Sequence, residues 1–102
     1  MYTDDGVFLK MKFEWDAKKA DKNRQKHSVA FTEAATVFGD PLSETFPDPD
    51  HSIGEFRYLT IGQSMAGRLL VVGHTDRGDT IRIITARQAT THERHYYENK
   101  RD

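Results

Sequence analysis

Seven residues, His51-Ser52-Ile53-Gly54-Glu55-Phe56-Arg57, place an imidazole, a carboxylate and a guanidinium within one loop-to-strand junction. Attack of a ribose 2′-hydroxyl on its own phosphodiester needs those group types: a base, an acid and a cation beside the phosphoryl oxygens. His51 and Glu55 each qualify as base or acid, and Arg57 qualifies as the cation. The two-residue strand period puts Glu55 and Arg57 on one face. By spacing alone, the stronger reading is a Glu55–Arg57 ion pair beside a turn-stabilising histidine.

A second group is Arg57, Arg68, Arg77, Arg82 and Arg87, all on strands or strand ends. Arginine keeps its charge, and its planar fork suits phosphate oxygens. Each one taken singly also fits a solvent-facing residue in a surface ion pair. Arg57 and Arg87 are harder to dismiss, because they share strand faces with Leu59 and Ile61 and with Ile81 and Ile83. A charge on an apolar face needs a partner or a ligand. Trp15, Tyr96 and Tyr97 can stack on single-stranded bases, although Trp15 and Tyr96 fit a core better. At least one of the two adjacent tyrosines must be exposed. His92 and His95 stand three apart on a helical stretch with Glu93 between them. No third ligand matches their spacing, so no metal and no cofactor is expected. There is no HExxH, P-loop, GxGxxG or serine-elbow motif.

Holding such residues in place falls to a single small domain, since the chain has 102 residues. With no cysteine, disulfides, zinc–thiolate centres and thiol catalysis are excluded, which fits a cytoplasmic protein. No apolar run is long enough to span a membrane. The net charge of −1 argues at first against a nucleic-acid binder. It is a cancellation between segments. Residues 40–55 carry five acids (Asp40, Glu44, Asp48, Asp50, Glu55) and no Lys or Arg, whereas residues 10–26 and 56–102 are both basic.

Residues 1–10 read as a tail that is not native, ahead of a second start at Met11. Met11–Trp15 alternates like a short strand. Asp16 is placed to cap a helix over about Ala17–Lys26 with only a thin apolar stripe. Phe31, Ala34, Ala35, Val37 and Phe38 predict a second helix, capped by Thr32 or Ser28 and ended by a left-handed Gly39 before Pro41. Leu42–Phe46 reads as an outer strand and Pro47–Asp50 as a loop. Glu55–Gly62, Arg68–Thr75 and Asp79–Ala86 read as strands joined by hairpin-length turns, with the middle one apolar on both faces and therefore central. A last helix covers about Gln88–Lys100. The class is α+β: a short strand and two helices, an antiparallel three- to four-stranded meander, and a C-terminal helix. Helices should cover one sheet face; the terminal helix or a partner chain should cover the other.

The chain resembles the BrnT family of toxins from bacterial type II toxin–antitoxin modules. The resemblance rests on Phe13-Glu14-Trp15-Asp16 with Lys19-Ala20 and Asn23, Lys26-His27 with Phe31 and Glu33-Ala34, and Val37-Phe38 with Asp40-Pro41-Leu42. It continues through Asp50-His51-Ser52 with Gly54-Glu55 and Arg57, Ile61-Gly62, Leu69–Val72, and Arg82–Arg87 with Ala89, Glu93-Arg94 and Tyr97. It covers about residues 11–98, so residues 11–102 read as a single BrnT-like domain. The resemblance implies a RelE-like fold and a metal-independent endoribonuclease that cuts RNA and halts translation and growth. It implies a BrnA-like ribbon-helix-helix antitoxin that silences the toxin, hetero-oligomers of the two, and contact with operator DNA only through the antitoxin. It also implies a cluster of basic residues with a late-strand arginine and a C-terminal tyrosine, matched here by Arg87 and Tyr97. Arg57 and Arg77 complete the expected catalytic set with His51 and Glu55. Trp15, Arg68 and Arg82 are the expected substrate-binding residues. The alternative is a non-catalytic module that acts with its antitoxin in operon repression.

Overall fold

The computed structural model describes residues 11–99. The expected tail over residues 1–10 and the end of the last helix at Lys100 lie outside the described residues. The order is β1 (Lys12–Glu14), α1 (Ala17–His27), α2 (Phe31–Ala35), a 3₁₀ turn (Thr36–Gly39), β2 (Glu44–Pro47), a second 3₁₀ turn (Pro49–His51), β3 (Tyr58–Gln63), β4 (Leu69–Arg77), β5 (Thr80–Gln88) and α3 (Thr91–Asn99). One five-stranded sheet runs β1-β5-β4-β3-β2. β2 to β5 form an antiparallel meander, and β1 joins its far edge parallel to β5. The α+β architecture expected from the sequence is therefore present. The long connection that parallel pairing demands is supplied by everything between β1 and β5: the two helices lead to β2 at the opposite edge, and the meander returns to β5.

Asp16 opens α1 as its position predicts. Its carboxylate accepts from the backbone N–H groups of Lys18 and Lys19 at 2.8 and 3.1 Å, and those bonds hold its carboxyl below the usual range. Ser28 ends α1 in the left-handed conformation at φ 59°, its N–H donating to the Arg24 carbonyl. It is thus the end of one helix and not the cap of the next. α2 starts after Ala30 with no side-chain cap, and neither Thr32 nor Ser28 fills that role. Gly39 does not turn left-handed either; the chain leaves through the tighter 3₁₀ turn, with Asp40 N–H donating to the Val37 carbonyl.

The thin apolar stripe of α1 is supplemented by a buried amide. β1 ends opposite Arg82, so the outer edge of β5 beyond it has no strand neighbour. Asn23 fills that edge. Its Nδ2 donates to the carbonyls of Ala86 (2.8 Å) and Val29 (3.0 Å), and its Oδ1 accepts from Ala86 N–H (3.0 Å). These bonds satisfy buried backbone groups that would otherwise lack partners.

The sheet separates two apolar clusters, as the doubly apolar β4 predicts. On one face Val29, Phe31, Ala34 and Val37 pack on Leu70, Val72, Ile81, Ile83 and Ala86. Trp15 sets its ring on Phe31, centroids 6.0 Å apart. On the other face Tyr97 of α3 packs with Ile61, Leu69 and Val71. α3 covers one end of that second face. Beyond it lies the cross-strand row Leu59, Gly73 and Thr85. The register slips there: His74 pairs with Ile83 and Gly73 with Thr85, which leaves Ile84 as a bulge.

Candidate active site

The uncovered part of the second face is a cleft of about 230 Å³, lined by Asp48, His51, Arg57, Leu59, Gly73, His74, Ile84, Thr85 and Arg87 among others. Its floor is open because residue 73 is glycine. A Cβ at that position would stand 2.6 Å from Thr85 Oγ1, so any side chain there would push into the cleft.

The loop between β2 and β3 supplies one wall and is closed at its neck. Asp48 N–H donates to the Arg57 carbonyl (2.8 Å). Ser52 Oγ donates to the Asp48 carbonyl (2.8 Å) and accepts from Arg57 N–H (2.9 Å). This clasp brings His51 and Arg57 to one site. Asp48 Oδ2 lies 2.9 Å from His51 Nδ1; a carboxylate in that position fixes the ring and leaves Nε2 for another partner. The His51 side chain is 66% exposed and the Asp48 side chain only 16%, so a largely shielded carboxylate orients an accessible imidazole.

The two arginines of the cleft differ electrostatically. Arg87 is held in a two-pronged pair, Nη1 and Nη2 donating to Glu93 Oε1 and Oε2 at 2.8 and 2.9 Å. Glu93 also closes a reciprocal cap with Thr90 at the start of α3. The Arg87 guanidinium, against the cost of burial, brings the Glu93 carboxyl down to about 2, and Glu93 in turn raises Arg87. Arg57 is half-buried, and its guanidinium has no carboxylate at ion-pairing distance among the described residues. The uncompensated positive charge of the cleft is therefore that of Arg57.

His74 forms part of the wall from the other side. It is buried, with Nε2 2.7 Å from Thr60 Oγ1 and Nδ1 2.8 Å from Asp76 Oδ1. Its ring stacks on Tyr58 and meets Phe38 edge-on. Burial lowers its pKa, and Asp76 opposes that shift.

Of the residues expected from the sequence, the structure brings His51, Arg57 and Arg87 together. Glu55 and Arg77 pair with each other at 3.2 Å, and Arg77 also reaches Glu14 at 3.5 Å. Glu55 does not share a strand face with Arg57, because β3 begins only at Tyr58. Arg82 pairs with Glu14 at 3.3 Å. Arg68 clasps Glu33, from 2.5 Å, and donates to the Ser28 carbonyl. Trp15 sits beside the first cluster, away from the cleft. Tyr97 is buried in the second cluster and its hydroxyl donates to Asp40 Oδ2 at 2.5 Å. Tyr96 is the exposed member of the pair, donating to Glu44. Glu93 of the His92–Glu93–His95 stretch is taken up by Arg87, and no three His, Asp or Glu among the described residues gather as a metal site.

Asp48, Gly73, His74 and Glu93 are the site residues that sequence reading passed over. Signals for three of them exist: Asp48 stands three residues before His51 across a proline turn, Thr90 and Glu93 have capping-box spacing, and a lone glycine in an apolar strand marks a bulge or close approach.

A family model described as the ribonuclease toxin BrnT of type II toxin–antitoxin systems matches residues 15–93. The crystal structure of the Brucella abortus ribonuclease toxin BrnT is similar in fold, with a TM-score of 0.62 at 23% identity over 79% of this chain and 99% of that one. No curated protein matches the chain.

Proposed function

The chain belongs to the BrnT family of ribonuclease toxins, and from that premise we propose that it is the endoribonuclease of its module, with the His51–Arg57–Arg87 cleft as the reaction site. The observation that carries this reading is the unpaired Arg57 guanidinium in the same cleft as an imidazole oriented by Asp48. His51 Nε2 takes the proton of a ribose 2′-hydroxyl. The 2′-oxygen bonds to phosphorus as the bond to the 5′-oxygen breaks, and the departing oxygen takes a proton from water or from the imidazolium. The products are a 2′,3′-cyclic phosphate and a 5′-hydroxyl. Arg57 faces the phosphoryl oxygens as charge builds on them, the contribution that preorganised donors make most efficiently. No step in this scheme calls for a metal.

We assign the proton transfer to His51 and not to Glu55, whose carboxylate is engaged by Arg77. Arg87 holds the phosphate through whatever donor capacity Glu93 leaves. Tyr97 acts as a positioning residue: it anchors α3, and α3 carries Glu93. Arg68, Arg77, Arg82 and Trp15 hold the scaffold.

A type II module pairs its toxin with an antitoxin. The BrnA-like ribbon-helix-helix form of that partner, its neutralisation of the toxin in hetero-oligomers, operator contact through it, arrest of translation and a cytoplasmic site of action are parts of the same proposal. Among the described residues no helix is long and apolar enough to cross a membrane.

The test is to express the chain alone and map RNA 5′ ends. Expected are new 5′-hydroxyl ends and growth arrest for the wild type, both lost in a folded Arg57→Ala or His51→Ala variant. RNA ends unchanged by wild-type expression, with operator binding by the toxin–antitoxin pair intact, would support the non-catalytic module instead; the neutralisation of Arg87 by Glu93 is the observation on its side.

A further inference from the structure

Most basic side chains of the described residues are already spoken for. Lys12, Arg24, Arg68, Arg77, Arg82, Arg87 and Arg94 all stand in ion pairs. Lys18, Lys19, Lys22, Lys26 and Arg57 stand in none. Arg57 is in the cleft; the other four are on α1. Lys19 helps depress the Asp16 carboxyl, but only from beyond ion-pairing distance.

Three of these lysines share one side of α1. Positions 19, 22 and 26 recur at helical spacing, and with His27 they line a shallow groove of about 340 Å³. The opposite bank of that groove is Ile84 and Thr85, the bulge of β5. The same two residues line the cleft that holds His51, Arg57 and Arg87. The groove and the cleft thus meet across the bulge. β1 stops at Glu14, so no strand separates α1 from this stretch of β5.

We propose that the Lys19–Lys22–Lys26 groove is a binding track for the phosphates of a single RNA strand that continues out of the cleft over Ile84 and Thr85. This rests on the RNA-cleaving reading of the cleft. Unpaired lysines along about 10 Å of helix suit a polyanion, and a flexible ammonium accepts a phosphate without demanding a base sequence. It also accounts for a near-neutral chain that handles RNA: its acids neutralise the structural arginines and leave the lysines of the track free.

The test uses a fluorescent, uncleavable 2′-O-methyl oligouridine of twenty nucleotides, with anisotropy measured across a salt series on the full chain. The variant carries Lys19→Gln, Lys22→Gln and Lys26→Gln. The control carries Lys12→Gln, Lys18→Gln and Arg94→Gln, which removes equal charge outside the groove. Expected is a fall of about 2 in the slope of log affinity against log salt for the groove variant, from ~0.7 per lost phosphate contact on a single strand, with weaker binding at every salt, and no such fall for the control. An equal loss in both variants, no loss in the groove variant, or no binding by the wild type at low salt would each overturn the track. Because the probe cannot be cut, the result does not depend on catalysis. Failure of the parent reading shows separately, as an all-ribose oligouridine that the wild type binds and leaves whole.

Discussion

The two faces of the sheet use the same strands for opposite ends. On the face under α1 and α2, Phe31, Leu70, Val72 and Ile83 are almost fully buried. On the face under α3, the cover stops after Ile61, Leu69 and Val71, and the next row opens into the cleft. The opening coincides with a glycine at 73 and a bulge at Ile84. One face stabilises the fold. The other leaves space beside a half-buried guanidinium that no carboxylate of the described residues pairs.

The comparison breaks most visibly on the closed face. Phe31→Ala removes a ring from the core and its contact with Trp15, and should cost about 3–5 kcal/mol, read as a loss of cooperative unfolding in a urea titration; a loss below about 1 kcal/mol would mean that this face is not the main core. Next comes Asn23→Ala, which strands the Ala86 and Val29 backbone groups. At roughly 1–3 kcal/mol for a buried polar group left unsatisfied, it should lower the denaturation midpoint and speed amide exchange at Ala86 ahead of the rest of β5.

A smaller effect separates the faces by pH. The Glu93 carboxyl is lowered in the fold from 4.5 to about 2. A depressed carboxyl stabilises the native state above its unfolded pKa, and that contribution is lost as pH falls from about 4.5 toward 2. The Arg87–Glu93 pair is partly exposed, so solvent screening leaves about 1 kcal/mol. Glu93→Gln should flatten the acid limb of the stability curve over that window; an unchanged curve would mean the pair adds nothing. The smallest effect is at Thr75, whose buried hydroxyl lacks a partner among the described residues. Thr75→Val should leave thermal stability unchanged or slightly raised, within roughly 0.5 kcal/mol, whereas a clear loss would reveal a partner for that hydroxyl.

What the sequence made legible was local or periodic. Asp16 announced its helix, Leu69–Val72 announced a central strand apolar on both sides, and His51 and Arg57, close in sequence, do line one cleft. The misses were long-range or concerned direction. Nothing within Lys12–Glu14 says that it will pair in parallel with β5, sixty-eight residues on. Nothing around Asn23 announced its task, because the Ala86 edge that it completes is remote in sequence. Tyr97 and Tyr96 exchanged their expected places, since adjacent helical residues point apart and only the docking of α3 decides which goes inward. The acidic stretch Asp40–Glu55, the source of the chain's near-neutrality, proved to be spread among separate tasks. Asp40 and Glu44 receive the two tyrosine hydroxyls, Asp48 orients His51, and Glu55 meets Arg77.

The central claim is that the open face cuts RNA through Arg57. It is tested most directly by single-turnover cleavage of a labelled RNA by purified wild type and Arg57→Ala in the presence of a strong chelator, with circular dichroism to establish that both are folded. Wild type should cut and leave 2′,3′-cyclic phosphate ends, and Arg57→Ala should be slower by about 10²–10³, the usual cost of removing one charge-stabilising donor. Equal rates for the two folded proteins would contradict the account.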